Sequence, residues 1–290
     1  MSPSSNDSVH IVPAAAVPPA ALCAAFNAAF ADYLIGPPQL PQAQWPSFLR
    51  RQGVELAFSR VALQGEHEVQ AFALVGRFSD RFTQRTRVAT MGARRETRGT
   101  GIAPRLLEQV VAEARERGDA ALELEVFAQN TVALRLYRAQ GFEPVCELYG
   151  YESAPVSPED WPPTQPPYQV TLEGAAAWLR AHAVPDLPFQ VSAAALGANA
   201  TPPLVAWRAG DAQLVFAARD AAHVSIASLF DASAAQDDAQ LLLRALRGQY
   251  PAATLRVPQL QRADLGGRAL EAVGFQRLPL YQFLMRRTLT

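Results

Sequence analysis

Apolar and polar positions in the first half of the chain switch repeatedly between the two-residue period of strands and the 3.6-residue period of helices. The strand-like segments are residues 9–12, 59–63, 69–78, 86–93, 122–127 and 144–151, and the helix-like segments are residues 18–33, 41–53, 101–117 and 130–140. Gly65 separates two of the strand-like segments and predicts a hairpin. A hairpin followed by strand–helix alternation predicts an α/β (α+β) fold with a mixed sheet.

The second half of the chain repeats the end of the first half. Adding 133 to the residue number brings Leu122 onto Leu255 and Gly141 onto Gly274 without a gap. A period close to the size of one domain predicts a tandem duplication. Chance similarity is the alternative, because few identities support the shift.

A proline-rich stretch separates the two halves. Residues 153–168 contain six prolines, and proline can form neither a helix interior nor a central strand. We therefore expect a first domain over residues 1–153, an extended linker over 154–167 and a second domain over 168–290. An ordered surface loop is the alternative to the linker.

Composition narrows the possible functions. The 290 residues have a formal net charge of −1, which favours neither nucleic acid nor an anionic membrane as a partner. All the basic residues are arginine, and the absence of lysine excludes a lysine Schiff base and a Walker-type phosphate loop. Two cysteines and four scattered histidines offer no metal-ligand spacing, so we expect no metal.

Targeting signals are not evident. No apolar run reaches the roughly 18 residues of a membrane span, and the N-terminus lacks the charged and apolar regions of a secretory signal. We therefore expect a cytoplasmic protein.

The sharpest local pattern is a glycine loop between a strand and a helix. It consists of Arg98, Gly99, Thr100, Gly101, Ile102 and Ala103. Glycine permits a positive φ and the close approach of a ligand to the backbone. Successive N–H groups at a helix start form an anion site suited to a diphosphate. A tight turn into a helix is the alternative, and the glycine spacing differs from that of a dinucleotide fingerprint.

A second pattern follows downstream. It consists of Asn130, Ala133, Leu136, Tyr137, Gly141 and Phe142, spaced as Asn-x-x-Ala-x-x-Leu-Tyr-x-x-x-Gly-Phe. Together with the glycine loop, it resembles the acyl-CoA motif of the GNAT acetyltransferases, over roughly residues 9–152. The two-part layout is similar to that of tandem members of this family such as mycothiol synthase. The resemblance implies two GNAT-like mixed-sheet domains.

The resemblance also implies a site for acetyl-CoA. The backbone of Met91, Gly92 and Ala93 would pair with the pantetheine arm, and an N–H there would hold the thioester oxygen as charge develops. The glycine loop would hold the diphosphate, while the Asn130 side chain would bond the arm beside the small Ala133. N-capping is the alternative role for Asn130, and a core side chain is the alternative for Met91.

The implied activity is N-acetyl transfer from acetyl-CoA to a primary amine of a small-molecule or peptide acceptor, by direct attack in a ternary complex. Tyr137 is the candidate to stabilise the leaving thiolate, and a core aromatic is its alternative role. The strand before the loop carries no carboxylate, so the base stays unassigned among Asp32, Glu55 and Glu125. Seven arginines against two acids over residues 77–98 would attract the phosphates of CoA.

The second domain lacks these groups. Under the shift of 133, Asn130 becomes Ala263, Tyr137 becomes Leu270, Gly101 becomes Ala234 and Arg98 becomes Asp231. We therefore expect a degenerate domain that covers a sheet edge, shapes the acceptor cleft or forms a homodimer. For the whole chain, a non-catalytic acyl-CoA-binding or sensor module is the alternative to an enzyme.

Overall fold

The computed structural model describes residues 9–65, 68–79, 83–157, 159, 167–196 and 203–289. The chain divides into two units that do not follow its sequential halves. Within the described part, unit 1 contains residues 9–125, 130–143 and 285–289, and unit 2 contains residues 126–129 and 144–284. Each unit is a mixed α/β structure, as the sequence predicts.

Unit 1 is built on antiparallel strands and one parallel pair. Its helices are α1 (Pro19–Ala29), α2 (Trp45–Arg51), α3 (Ile102–Glu116) and α4 (Thr131–Ala139), and its strands are β1 (Val9–Pro13), β2 (Arg60–Gln64), β3 (Glu68–Ser79), β4 (Gln84–Ala93) and β5 (Ala121–Phe127). Strands β1 to β4 are antiparallel neighbours, whereas β4 and β5 run parallel. The end of the last strand of the chain follows β5 in the order.

Helices cover both faces of the unit 1 sheet. Phe72 packs with Phe26 of α1 and Trp45 of α2, whereas the preceding residue, Ala71, packs with Leu106 of α3. Successive side chains of a strand point to opposite faces, so β3 is buried on both sides. This packing holds the beginning of α3 and the end of α1 against the same strands.

Unit 2 repeats this strand order with its own segments. Its helices are α5 (Leu172–His182), α6 (Ala193–Leu196), α7 (Asp237–Gln249) and α8 (Gly267–Ala272), and its strands are β6 (Glu143–Ser153), β7 (Tyr168–Val170), β8 (Val205–Ala209), β9 (Ala212–Ala218), β10 (His223–Asp231), β11 (Thr254–Gln261) and β12 (Gln276–Thr288). The order is β7-β8-β9-β10-β11-β6, followed by the beginning of β12. Strands β10 and β11 are its parallel pair.

The segments predicted in the first half all form their expected elements, with shifted ends. The predicted helix over residues 41–53 is shorter, because a 3₁₀ turn over Gln42–Gln44 precedes α2. The sequence predicts that residues 143–153 belong to the first domain, whereas residues 144–153 belong to unit 2 and form most of strand β6. A local pattern predicts a strand but not its neighbours. The expected linker over 154–167 lies mostly outside the described residues.

The two units correspond strand by strand, with one correction to the shift of 133. Both β4 and β10 carry one extra residue, Ala89 in the first and Ala227 in the second, which sets the strand shift at 138. Residues 94–100 connect β4 to the cap of α3, whereas only residues 232–235 connect β10 to the cap of α7.

The expected match of Gly101 with Ala234 is therefore wrong: Gly101 corresponds to Gln236. Because the loop is shorter, Asp231 ends strand β10 and does not match Arg98.

No helix of the described part is both long and apolar enough to cross a membrane.

Candidate active site

The parallel pair β4 and β5 is joined only at its beginning. Arg85 lies opposite Ala121 and Arg87 lies opposite Glu123, and no further pair follows among the described residues. The extra residue Ala89 forms a bulge immediately afterwards, and a bulge bends the strand that carries it. Residues 88–93 therefore leave one edge of β4 facing a gap.

The backbone of Met91 and Ala93 points into that gap. The N–H of Arg94 donates to the carbonyl of Gln70 at 2.9 Å. This bond makes Ala93, and Met91 two residues earlier, non-hydrogen-bonded members of the β3–β4 ladder. Their N–H and C=O groups face away from β3, where an extended ligand can pair with them, although the Ala93 carbonyl also accepts the Arg98 Nε–H at 3.4 Å.

Gly92 brings helix α1 close to this open edge. A Cβ atom at Gly92 would lie 2.9 Å from the Ala29 Cβ and 2.9 Å from the ring of Phe72. The absence of a side chain therefore sets the distance between α1 and β4 at the residue between Met91 and Ala93.

The glycine loop ends in a cluster of unpaired amides. Gly101 caps α3 with a φ of 84°, and Gly99 has a φ of 80°. A Cβ atom at either residue would meet no atom within 4 Å, so open space lies beside the loop. Among the described residues, no acceptor receives the N–H groups of Gly99, Gly101, Ile102 and Ala103. These amides and the positive end of α3 form an anion site.

The side chains of Thr100 and Arg98 shape the loop. The Thr100 hydroxyl donates to the Thr97 carbonyl at 2.8 Å. The Arg98 guanidinium donates to both oxygens of Asp32, at 2.6 and 2.8 Å, and to the Ala29 carbonyl at 2.8 Å. Hydrogen bonding to Arg98 lowers the pKa of the Asp32 carboxyl. The sequence contained no signal for this link between the loop and the end of α1.

Asn130 caps helix α4. Its Oδ1 accepts the Ala133 N–H at 3.1 Å, which confirms the capping role. The Nδ2 group donates to no acceptor within the described part of the chain. One side chain can therefore cap the helix and still offer a donor to a ligand.

Tyr137 lies on the same helix and is only 8% exposed. Its ring packs against Phe142, with the centroids 5.8 Å apart. Its hydroxyl makes no hydrogen bond within the described residues. Burial raises the pKa of Tyr137, so the phenol keeps its proton at neutral pH. The packing fits a core aromatic, and the unbonded hydroxyl leaves a donor for a ligand.

Most of the arginine cluster is paired within unit 1. The pairs are Arg77–Asp119, Arg85–Glu123, Arg87–Glu125, Arg94–Glu68 and Arg98–Asp32. Arg81 lies outside the described residues. The pairing balances much of the positive charge counted in the sequence. The backbone amides of the loop are therefore the main hydrogen-bond donors available to an anion.

The three candidate bases lie in different surroundings. Asp32 is held by Arg98, and Glu55 accepts the N–H of Arg77 at 3.0 Å. Glu125 pairs with Arg87 at 2.6 Å, and both side chains are almost fully buried where β4 and β5 part. No group of three or more His, Cys, Asp or Glu side chains in the described part could hold a metal ion.

A mixed sheet with a parted parallel pair, followed in the chain by a cluster of unpaired amides, is the arrangement expected of an acyl-CoA-dependent acyltransferase. Residues 22–142 match the model of the Acetyltransferase (GNAT) family. This match spans fewer than half of the residues of the chain, so it marks a likeness to that family over residues 22–142, and the protein is an acetyltransferase that uses acetyl-CoA. The unpaired amides, the open space at Gly99 and Gly101 and the free edge of β4 fit this co-substrate.

Solved structures share the fold over nearly the whole chain. A GCN5-related N-acetyltransferase from Kribbella flavida is 18% identical, with a TM-score of 0.61 over 99% of this chain and 72% of that one. One from Anabaena variabilis is 14% identical, with a TM-score of 0.65 over 98% and 73%. One from Sphaerobacter thermophilus is 14% identical, with a TM-score of 0.58 over 97% and 96%. No curated protein matches the chain.

Proposed function

We propose that unit 1 transfers an acetyl group from acetyl-CoA to a primary amine by direct attack in a ternary complex. One observation carries the proposal: the free edge of β4 at Met91 and Ala93 lies next in the chain to four unpaired amides at the start of α3. The strand edge can pair with the amide-containing pantetheine arm of CoA, and the anion site that follows it can hold the diphosphate.

Each residue then has a distinct task. The backbone of Met91 and Ala93 pairs with the pantetheine arm, and an N–H there holds the thioester oxygen as negative charge develops. The amides of the glycine loop bind the diphosphate, and the side chain of Arg98 holds the loop to α1. Asn130 donates its amide to the arm, which passes beside Ala133.

The attacking amine must lose a proton. A simple alkyl ammonium has a pKa of about 10.4, so neutralising it at pH 7 costs roughly 4–5 kcal/mol. We assign the base to Glu125, because its carboxylate lies where the strands part and Arg87 fixes its orientation. Asp32 and Glu125 are each held by an arginine on both oxygens, but Asp32 lies against the glycine loop through Arg98. Glu55 accepts a strand amide, so neither Asp32 nor Glu55 lies where the strands part. Bound acetyl-CoA supplies the activated carbonyl.

Tyr137 stabilises the leaving thiolate by a hydrogen bond. A phenol is a weaker acid than a thiol even without perturbation, and burial raises the pKa of Tyr137 further. Complete proton transfer from the phenol to the thiolate would therefore be uphill. A hydrogen bond from the protonated phenol supplies the stabilisation without that cost.

The acceptor is a small molecule or a peptide that carries a primary amine. Unit 2 is a degenerate second copy in a tandem, mycothiol-synthase-like layout. Its support is the matching strand order and the bulge that β4 and β10 share. It has Leu270 where unit 1 has Tyr137, so we assign catalysis to unit 1 alone.

Replacement of Tyr137 by phenylalanine tests the chemistry. We expect Tyr137→Phe to lower kcat about 10²-fold in an amine-panel assay of CoA release, because only the hydrogen bond to the leaving group is lost. The Kd for acetyl-CoA should stay within about twofold. Because Tyr137 stays protonated at working pH, the basic side of the pH profile should keep its shape.

The exposed Tyr168 offers a matched control, since Tyr168→Phe should change neither quantity. If Tyr137→Phe lowered turnover and acetyl-CoA affinity equally, Tyr137 would have no role in stabilising the leaving thiolate. Acetyl-CoA binding without turnover on any amine would favour the binding or sensor module.

A further inference from the structure

The parallel pair of unit 2 parts as the pair of unit 1 does, but side chains fill the resulting gap. Pairing of β10 with β11 ends at Ser225 and Arg256. Beyond that point, the Gln261 Nε2 group donates to the Leu229 carbonyl at 3.1 Å and to the Leu265 carbonyl at 3.1 Å. Leu229 corresponds to Met91 under the strand shift of 138. The side chain of Gln261 therefore occupies the edge that unit 1 leaves free.

The helix cap of unit 2 is closed as well. Gln236 caps α7 with a φ of 54°, in the left-handed region that Gly101 adopts in unit 1. Its Nε2 group donates to the Ala263 carbonyl at 3.1 Å, and its Oε1 accepts the Ala269 N–H at 2.9 Å. Gln236 is fully buried. The space that is open beside Gly101 is filled here by a side chain.

A carboxylate lies at the start of α7. Asp231 accepts the Ser233 N–H at 2.9 Å and the Ala239 N–H at 3.1 Å, and it has no exposed surface. Ala239 is in the first turn of α7, where orphan amides and the helix dipole favour an anion. The protein supplies that anion itself.

We propose that Asp231, Gln236 and Gln261 form an internal plug that takes the place of acyl-CoA in unit 2. The plug excludes the ligand and satisfies backbone groups in and beside the corresponding site, among them the Leu229 carbonyl and the Ala239 N–H. This inference depends on the proposed function in one respect, namely that the ligand of unit 1 is acyl-CoA. The chain then binds one acyl-CoA, in unit 1, and the plug residues stabilise unit 2.

Isothermal titration of the full chain with CoA tests the exclusion. We expect one site per chain, abolished by Gly101→Asp, which places a carboxylate in the anion site of unit 1. Two sites, or one site that survives Gly101→Asp, would overturn the plug. No binding at all would refute the proposed function of unit 1, and the plug would then be judged by the melting experiment alone.

Thermal melting tests the plug without any ligand. A strained residue with a positive φ normally gains stability when replaced by glycine. Gln236→Gly should instead lower Tm by roughly 5 °C, because the buried Ala269 N–H and the partly buried Ala263 carbonyl lose their partners. Gln39→Gly is the matched control: Gln39 has a φ of 41° and is exposed. It should raise Tm by roughly 2 °C. A rise in Tm for Gln236→Gly would show a strained turn and not a plug.

Discussion

Three glycines and one asparagine shape the site that we propose for acetyl-CoA. Gly99 and Gly101 adopt positive φ beside open space, which leaves the neighbouring amides accessible. Gly92 admits α1, and Asn130 uses one atom as a cap while keeping another for a ligand. The sequence predicted these residues, because each one's local geometry depends mainly on its own type. It did not predict that Arg98 would bind Asp32, since the two are far apart in the chain.

The assignment of the base is tested at the same scale. We expect Glu125→Gln to lower kcat by about 10²–10⁴-fold, because the amide keeps the shape of the side chain but cannot take a proton. The Kd for acetyl-CoA should not change. Glu55→Gln provides the control and should leave turnover unchanged. The Glu55 carboxylate accepts the Arg77 N–H, and we give it no part in the reaction. Full activity of Glu125→Gln would show that Glu125 is not the general base.

Helix α4 carries the second motif and depends on its cap. The bond from the Ala133 N–H to Asn130 satisfies one of the unpaired amides of the first turn. Tyr137 follows Asn130 by seven positions, which is nearly two turns, so both side chains point along one face of the helix. The helical period predicted that shared face. The packing of Tyr137 on Phe142 depends on the turn that follows, which brings the chain back under the helix.

Two substitutions at Asn130 separate capping from ligand binding. Asn130→Asp retains a cap acceptor but loses the amide donor, so it should keep the melting temperature and weaken acetyl-CoA binding. Asn130→Ala loses both, and the lost cap alone should cost about 1 kcal/mol, or roughly 2–4 °C in Tm. Titration calorimetry and thermal melting measure the two effects. Equal affinities for wild type and Asn130→Asp would leave Asn130 with capping as its only role.

At the scale of the whole molecule, the end of the chain completes unit 1. The Arg286 guanidinium donates to Glu123 at 2.6 Å, and the Leu289 N–H donates to the Ala120 carbonyl at 3.0 Å. The Glu123 side chain is only 2% exposed and also pairs with Arg85. Burial raises the pKa of Glu123, although both arginines oppose this shift. The first 153 residues by themselves would therefore lack part of unit 1.

Loss of Arg286 tests this dependence. Arg286→Leu should lower the free energy of unfolding by about 2 kcal/mol, because it leaves a buried carboxylate with a single partner. Arg277 lies on the same strand and forms an exposed pair with Glu271 of α8, so it provides the control: Arg277→Leu should cost less than about 1 kcal/mol. Urea unfolding followed by circular dichroism measures both. Similar small losses for the two variants would contradict the role of Arg286.

The sequence by itself determined the helices and strands of the first half, the glycine loop and the cap of α4. These depend on residues close together in the chain, whose periodicity and φ preferences act locally. Tertiary structure decided which strands lie side by side and which amides stay unpaired. Gln236 and Gln261 look like ordinary polar residues until folding brings Ala263 and Leu229 to them. Contacts between distant segments depend on the packing of the whole core, which no local pattern records.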